Sequence, residues 1–338
     1  MLFNVCALYI KIMNNENQTI HKSDDNLTIY GWNEKLNQLK QESIYSALAH
    51  GRVSIVHRTC YEVISGNGLF QCELTGNMMY GKSDDELPCT GDWVIFQPFD
   101  EHKGIIVDSL PRERTLYRKK SGTVADKQAI ASYVDKAFIV QSLDDNFNVR
   151  RVERFMVQIM EENISSVLVL NKADLDFDRQ SVEEQIKHIS SQIPVFFTSI
   201  HQLETIVRLR KSISEGETVV FVGSSGVGKS SLVNALCEKP VLLTSDISLS
   251  TGKGRHTSTR REMVLMDSSG VLIDTPGVRE FGLAIDNPDS LAEVLEISDY
   301  AELCRFKDCK HINEPGCAVL EAVNSGALDY KVYASYLK

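Results

Sequence analysis

Gly223-Ser-Ser-Gly-Val-Gly-Lys-Ser230 has the spacing G-x-x-x-x-G-K-S, and Ser231 continues it into an apolar helical pattern running to Cys237. Residues of these types can surround phosphate. Gly223, Gly226 and Gly228 let the backbone N–H groups of the loop, those of Ser224, Ser225 and Val227 included, close around phosphate oxygens. The helix N-terminus that follows adds positive potential. Lys229 reaches the outer phosphates, and the Ser230 hydroxyl is a Mg²⁺ ligand. The apolar run Thr218–Val222 precedes the loop. A strand, then this loop, then a helix is the context that separates the motif from a chance glycine-rich turn.

Asp274-Thr-Pro-Gly277 follows a second apolar run. The Asp274 carboxylate can hold Mg²⁺ directly or through water, and the Gly277 N–H can meet the terminal phosphate without a Cβ in the way. Asn171-Lys-Ala-Asp174 follows a third such run. Asp174 can accept two hydrogen bonds from guanine N1–H and N2–H₂, a pair adenine lacks, so it selects GTP and GDP over ATP. Asn171 can contact guanine N7/O6 and tie loops together. The Lys172 stem can pack along the base, with Ala173 between it and Asp174. Thr198-Ser199 is expected to approach guanine O6 through backbone N–H.

The order of these motifs is unusual. The base-reading motif precedes the phosphate loop, whereas ordinary GTPases carry it afterwards. A circular permutation explains this, because moving the chain ends leaves the same contacts in space. Switch II then lies near the end of the sheet domain. Between Ser230 and Asp274 stands Gly254-Arg-His-Thr-Ser-Thr259, the expected switch I. Val278 occupies the position after Gly277 where many GTPases place a water-orienting glutamine. A valine cannot orient water, so the water must be positioned otherwise; His256 is a candidate catalytic group, the alternative being an ordinary switch-loop or RNA-facing histidine.

Cys304-x4-Cys309-x-His311-x5-Cys317 gathers three thiols and an imidazole within fourteen residues. That set makes a closed tetrahedral Zn²⁺ site, structural rather than catalytic because no ligand position is left open.

These groups need a scaffold. Short apolar runs at 136–140, 166–170, 194–197, 218–222, 263–266 and 271–273 alternate with helical patterns, which predicts a parallel sheet covered on both faces. In the segment 151–163, Val152, Phe155, Met156 and Ile159 share one helical face. Ahead of Pro111, five short alternating runs between Arg52 and Val107, punctuated by glycine turns, predict a small barrel, with an OB-fold leading. Residues 13–30 are polar and expected to be loose.

The whole chain has 338 residues, 43% hydrophobic and 24% charged, with mean hydropathy −0.16. That balance excludes disordered, collagen-like and low-complexity classes. No run approaches the ~20 apolar residues of a membrane helix. The net charge is −10 and the pI about 5.4, so a general polycation is excluded, yet two local segments are basic. Arg112, Arg114, Arg118, Lys119 and Lys120 form one, and Lys253, Arg255, Arg260 and Arg261 the other. The default reading of either is a solvated surface. Five of the eight cysteines are scattered and the leader region has no cleavage site, so a reducing cytoplasm is expected. Either Met1 or Met13 can be the start.

A barrel, a permuted GTPase order and Cys-x4-Cys-x-His-x5-Cys, in that sequence, resemble the ribosome small subunit-dependent GTPase A family. The similarity runs from about residue 30 and takes in Asp145-Asn-Phe-Asn-Val-Arg-Arg-Val-Glu-Arg154 and Gly254-Arg-His-Thr257. It implies an OB-fold, a GTPase stimulated by the small ribosomal subunit and its rRNA, and a role in late maturation of that subunit. Three departures stand out. Ser258 interrupts a threonine run, leaving Thr257 or Thr259 as the Mg²⁺-ligating switch residue. Residues 119–132 match loosely, and the chain stops at Lys338, early in an expected basic helix.

The expected class is therefore α/β. Residues 1–48 form an N-terminal extension, 49–111 an OB-fold barrel, 112–289 a circularly permuted P-loop GTPase domain and 290–338 a small helical zinc-binding domain. A monomer with no membrane association is expected. The alternative function is a GTP-gated RNA-binding module acting on another RNA, with incidental hydrolysis.

Overall fold

The computed structural model describes residues 25–81, 83, 85–119, 127–238, 262–266, 270–274, 297–307, 309–328 and 330–336. The chain enters through α1 (Glu34–Glu42), then runs β1 (Ala49–Val56), β2 (Tyr61–Ser65), β3 (Gly68–Leu74), α2 (Gly76–Gly81), β4 (Trp93–Asp100) and β5 (Lys103–Ser109). A hairpin of β6 (Leu116–Lys119) and β7 (Lys127–Ala131) leads to β8 (Lys136–Ser142), α3 (Val149–Glu161) and β9 (Ser165–Asn171). There follow α4 (Arg179–Gln185), β10 (Val195–Thr198), α5 (Leu203–Lys211), β11 (Thr218–Val222), α6 (Lys229–Leu236), β12 (Glu262–Leu265) and β13 (Val271–Asp274). The described chain ends in α7 (Ala318–Ser325) and α8 (Tyr330–Tyr336).

The first five strands close on themselves. Their order is β1-β2-β3-β5-β4, and β4 pairs back onto β1. All contacts are antiparallel except β3 with β5, which is parallel. Five strands closed in this order form the OB-type barrel expected from the alternating pattern. Val53, Val63, Phe70, Cys72, Val94, Phe96 and Ile106 fill it, and Met78 of α2 packs with them. Gly104 lies against that core: a Cβ there would come within 2.7 Å of the Phe96 ring.

The second unit is the parallel sheet β10-β9-β8-β11-β13, with β12 antiparallel at its edge. Its strands are apolar throughout because both faces are covered. Successive β8 residues show the division. Ala137 and Ile139 face α3 and α4, while Phe138 and Val140 face α5 and α6. The predicted stripe Val152, Phe155, Met156 and Ile159 is buried along α3. Phe138 and Phe221 meet edge to face at 5.2 Å across the second layer. One antiparallel bridge, Ile55 with Glu262, joins β12 to the barrel strand β1.

The structure corrects two expectations and adds a strand to a third segment. Within the polar stretch 13–30, residues 25–30 are docked rather than loose. Leu27 packs with Trp32, Leu36, Trp93, Ile95, Leu110 and Tyr133 on the outside of the barrel, which outweighs the polar composition around it. The fully buried Arg52 secures this junction. It donates to Gly91 O at 3.0 Å, to Tyr30 O, to Thr218 Oγ1 at 2.9 Å and to Tyr133 O at 3.4 Å. Burial draws its guanidinium down to about 10. Second, the loosely matching segment 119–132 includes strand β7, which pairs with β6. Third, the basic residues Arg112 and Arg114 are not a free cationic surface. Arg112 forms an ion pair at 2.7 Å with the buried Asp92, and Arg114 one at 3.0 Å with Asp135. The seven described cysteines are all free thiols.

Candidate nucleotide-binding site and metal centre

In an open parallel sheet, ligands bind in the crevice beyond the carboxyl ends of the strands. The loops after β8, β9, β10 and β11 all lie there, and Asp274 ends β13 beside β11. The phosphate loop takes its shape from its glycines, with φ +148° at Gly223, +83° at Gly226 and +94° at Gly228. A Cβ on Gly223 would come within 2.4 Å of Val140 O, and one on Gly228 within 2.3 Å of Asn171 Nδ2. Gly228 is thus the gap through which the base-reading loop reaches the phosphate loop. Lys229 folds back over its loop, donating to Gly223 O and Ser224 O at 2.7 Å each. Val227 is buried beneath, and Ser230 and Ser231 stand in the first turn of α6. No side chain caps that helix, and the positive potential of a helix N-terminus favours an anion there.

Asn171 ends β9 and is buried. Its Nδ2 donates to Val227 O at 2.9 Å, and its Oδ1 accepts from Thr198 Oγ1 at 3.3 Å. This is the loop-tying role read from the sequence. Ala173 N–H donates to Thr198 O at 3.0 Å, which fixes the turn against β10. Lys172, at φ +61°, extends to an ion pair with Asp144 at 2.7 Å. Asp174 is exposed and accepts from the Ser199 hydroxyl, which holds its carboxyl below the usual range and ionised. The Ser199 N–H donates to Thr205 Oγ1 at 3.0 Å, and the Ser199 side chain serves Asp174 through its hydroxyl.

The backbone of Asp274 pairs with Glu262 at the end of β13. Thr257, Thr259, Gly277, Val278, His256 and the basic run Lys253–Arg261 lie outside the described residues. Sequence reasoning missed the residues that approach the site from the loop after β8 and the first turn of α3, namely Asp144, Asn146 and Arg151. The only signal there was the family-like run from Asp145 to Arg154.

Far along the chain, Cys304, Cys309, His311 and Cys317 converge, with their ligand atoms all within 4.8 Å of one another. Cys304 Sγ lies 3.8 Å from Cys317 Sγ and 3.5 Å from His311 Nδ1, which is 3.4 Å from Cys317 Sγ. A tetrahedron with Zn–S of about 2.3 Å has S···S edges of about 3.8 Å, so the donor set fits a four-coordinate metal. Glu314 accepts N–H bonds from Lys310, Ile312 and Asn313, and the Tyr333 hydroxyl donates to His311 O at 2.6 Å. These contacts hold the ligand-bearing turn.

A P-loop, a guanine-type motif pinned to it and a parallel sheet threaded with the base motif first define a circularly permuted GTPase, an enzyme that hydrolyses GTP. Residues 109–284 match the family model described as RsgA GTPase, and the chain belongs to that family. It is 74% identical over 326 residues to small ribosomal subunit biogenesis GTPase RsgA 1 of Bacteroides thetaiotaomicron, covering 96% of this chain and 90% of that protein. The match to small ribosomal subunit biogenesis GTPase RsgA of Methanosarcina acetivorans is 38% over 335 residues, 96% and 88% of the two chains. Among solved structures, YjeQ from Thermotoga maritima superposes with TM-score 0.64 at 25% identity, covering 86% of this chain and 96% of that one. YloQ, described as a circularly permuted GTPase, shares the fold at TM-score 0.63 and 22% identity, covering 88% and 95%. Among the described residues, no helix is long and apolar enough to cross a membrane.

Proposed function

We propose that this GTPase binds the small ribosomal subunit through its rRNA, assists late maturation of that subunit, and hydrolyses GTP faster when bound to it. The observation that carries the nucleotide assignment is the Asn171–Val227 bond, which locks a guanine-reading loop onto the phosphate loop. The subunit assignment is supported by the names of relatives as similar as 74%. Asn171, Lys172, Ala173, Asp174, Thr198 and Ser199 hold the base, and residues 223–231 with Gly277 hold the phosphates. Mg²⁺ is held by Ser230, Asp274 and either Thr257 or Thr259. Cys304, Cys309, His311 and Cys317 hold one structural Zn²⁺. His256 is the water-orienting candidate. We divide the chain at 48/49, 111/112 and 289/290, and place the protein in the cytoplasm as a monomer.

Multiple-turnover GTP hydrolysis with and without purified small subunits tests this reading. Slow turnover alone and a marked rise with subunits are expected, and subunits without effect would overturn the assignment. Base selection has its own test. Asp174→Asn removes one acceptor of the guanine pair, and a lost hydrogen bond to a charged group costs about 1.5–3 kcal/mol, or roughly ten- to a hundredfold in GTP affinity. Xanthine nucleotides should be gained by the same exchange. Nucleotide titration reads both, and equal affinity of the unaltered protein for GTP and ATP would refute the assignment.

A further inference from the structure

The loop between β8 and α3, together with the first turn of α3, carries no phosphate or base motif, yet it touches both nucleotide loops. Toward the base loop, Asp144 Oδ2 accepts from Lys172 Nζ at 2.7 Å, and Leu143 N–H donates to Asn171 O at 2.9 Å. The other Asp144 oxygen accepts from Ser142 Oγ at 2.6 Å and from Asn146 N–H at 3.0 Å. Toward the phosphate loop, Arg151 Nη1 donates to the Ser224 hydroxyl at 3.0 Å. Asn146 Nδ2 donates to the same oxygen at 3.3 Å and stands 3.5 Å from Ser225 O. Arg151 is itself aimed. Asn148 caps its backbone N–H at 3.2 Å, and Nη1 lies 3.2 Å from both Asn146 O and Asn146 Oδ1.

We propose that Arg151 is a positioning residue for the phosphate loop and that, with Asn146 and Asp144, it forms a second brace between the base-reading and phosphate-holding loops. The proposal deepens the nucleotide-site assignment above and rests on it.

The first brace, Asn171 to Val227, belongs to the guanine motif and grips the far end of the phosphate loop. The second grips its start, at Ser224 and Ser225. Lys229 now donates to Gly223 O and Ser224 O. A bound nucleotide recruits that ammonium to its phosphates, so its three N–H donors are then shared between loop and ligand. Arg151 holds Ser224 by its side chain instead, so its grip does not compete with phosphate. A guanidinium donor makes this bond charge-assisted and directional. The loop's N–H groups accelerate hydrolysis only while aimed at the positions where charge develops, which is what a brace behind the loop preserves. Because Asp144 also holds Lys172, seating of the base tightens the same network.

The test uses the full chain, with single-turnover GTP hydrolysis and nucleotide titration on Arg151→Ala, Arg151→Lys, Ser224→Ala and the Arg151→Ala/Ser224→Ala double variant. Arg154, exposed on the same helix, supplies the control Arg154→Ala. Loss of one charge-assisted bond should lower kcat in Arg151→Ala by about tenfold or more, with a smaller change in KM. Arg151→Lys should recover part of that loss, and Arg154→Ala none of it should show. Ser224→Ala should reduce kcat on its own but add little to Arg151→Ala, since both delete one interaction. Unchanged kcat in Arg151→Ala, or losses that multiply in the double variant, would overturn the proposal. If Arg151→Ala does not fold, Ser224→Ala leaves α3 intact and decides alone: wild-type kcat there overturns the proposal. Failure of the unaltered protein to bind GTP would instead overturn the nucleotide-site assignment itself.

Discussion

Cys309→Ala is expected to release one zinc ion per chain and to unfold the segment from about residue 295 to the C-terminus. Structural zinc contributes on the order of 10 kcal/mol to small modules of this kind. Among the described residues the fully buried core of the module is small. Its core is Ile297, Cys317, Val319, Ala322, Leu328 and Tyr333, and two of those depend on the metal turn. Cys317 belongs to the Cys/His cluster proposed to hold zinc, and the Tyr333 hydroxyl is bonded to His311 O. A segment of about forty residues is near the limit below which metals or disulfides are usually needed. The nucleotide loops lie on the parallel sheet, so GTP affinity should survive. Metal analysis of purified protein, hydrogen exchange across the segment and GTP titration together read the outcome. Absence of zinc in the unaltered protein, or a zinc-free variant with undiminished exchange protection, would refute it.

Lys229→Ala and Ser230→Ala are each expected to reduce GTP turnover by a factor of about a hundred to a thousand or more. Phosphoryl transfer relies almost wholly on positioning and charge stabilisation, and removal of a single stabilising donor typically costs that much. Lys229 opens α6 directly after a loop whose shape three positive-φ glycines define, and it folds back over that loop. Ser230→Ala acts through the metal and should raise the Mg²⁺ concentration needed for half-maximal activity. Single-turnover assays over a Mg²⁺ series separate the two. Normal turnover in either variant would show that this loop is not where GTP is cleaved.

The phosphate loop, the base motif and the Cys/His cluster were legible in the residues because each is a short run whose spacing is set by the chemistry it can perform. Four atoms at the corners of a small tetrahedron, or N–H groups around one phosphate, demand near neighbours in the chain. The parallel sheet was legible for a related reason. Strands covered on both faces must be apolar throughout, and β8, β9 and β11 are. The barrel's alternating strands betrayed themselves in the same way, although β1 begins at Ala49 rather than Arg52.

What the tertiary structure decided are contacts between residues far apart in sequence. Nothing in composition shows that Arg52 will donate to Thr218, or that Arg112 will serve a buried aspartate instead of a surface. A charged side chain reads the same whether it meets water or a partner, and only the folded distance tells which. The docking of Leu27 and Trp32 was hidden by the polar residues around them. The brace from Arg151 to Ser224 was hidden because its two ends lie 73 residues apart. Motifs that touch a ligand are written locally. The supports behind them are written only in space, because a hydrogen bond depends on the final separation of its atoms and not on their order in the chain.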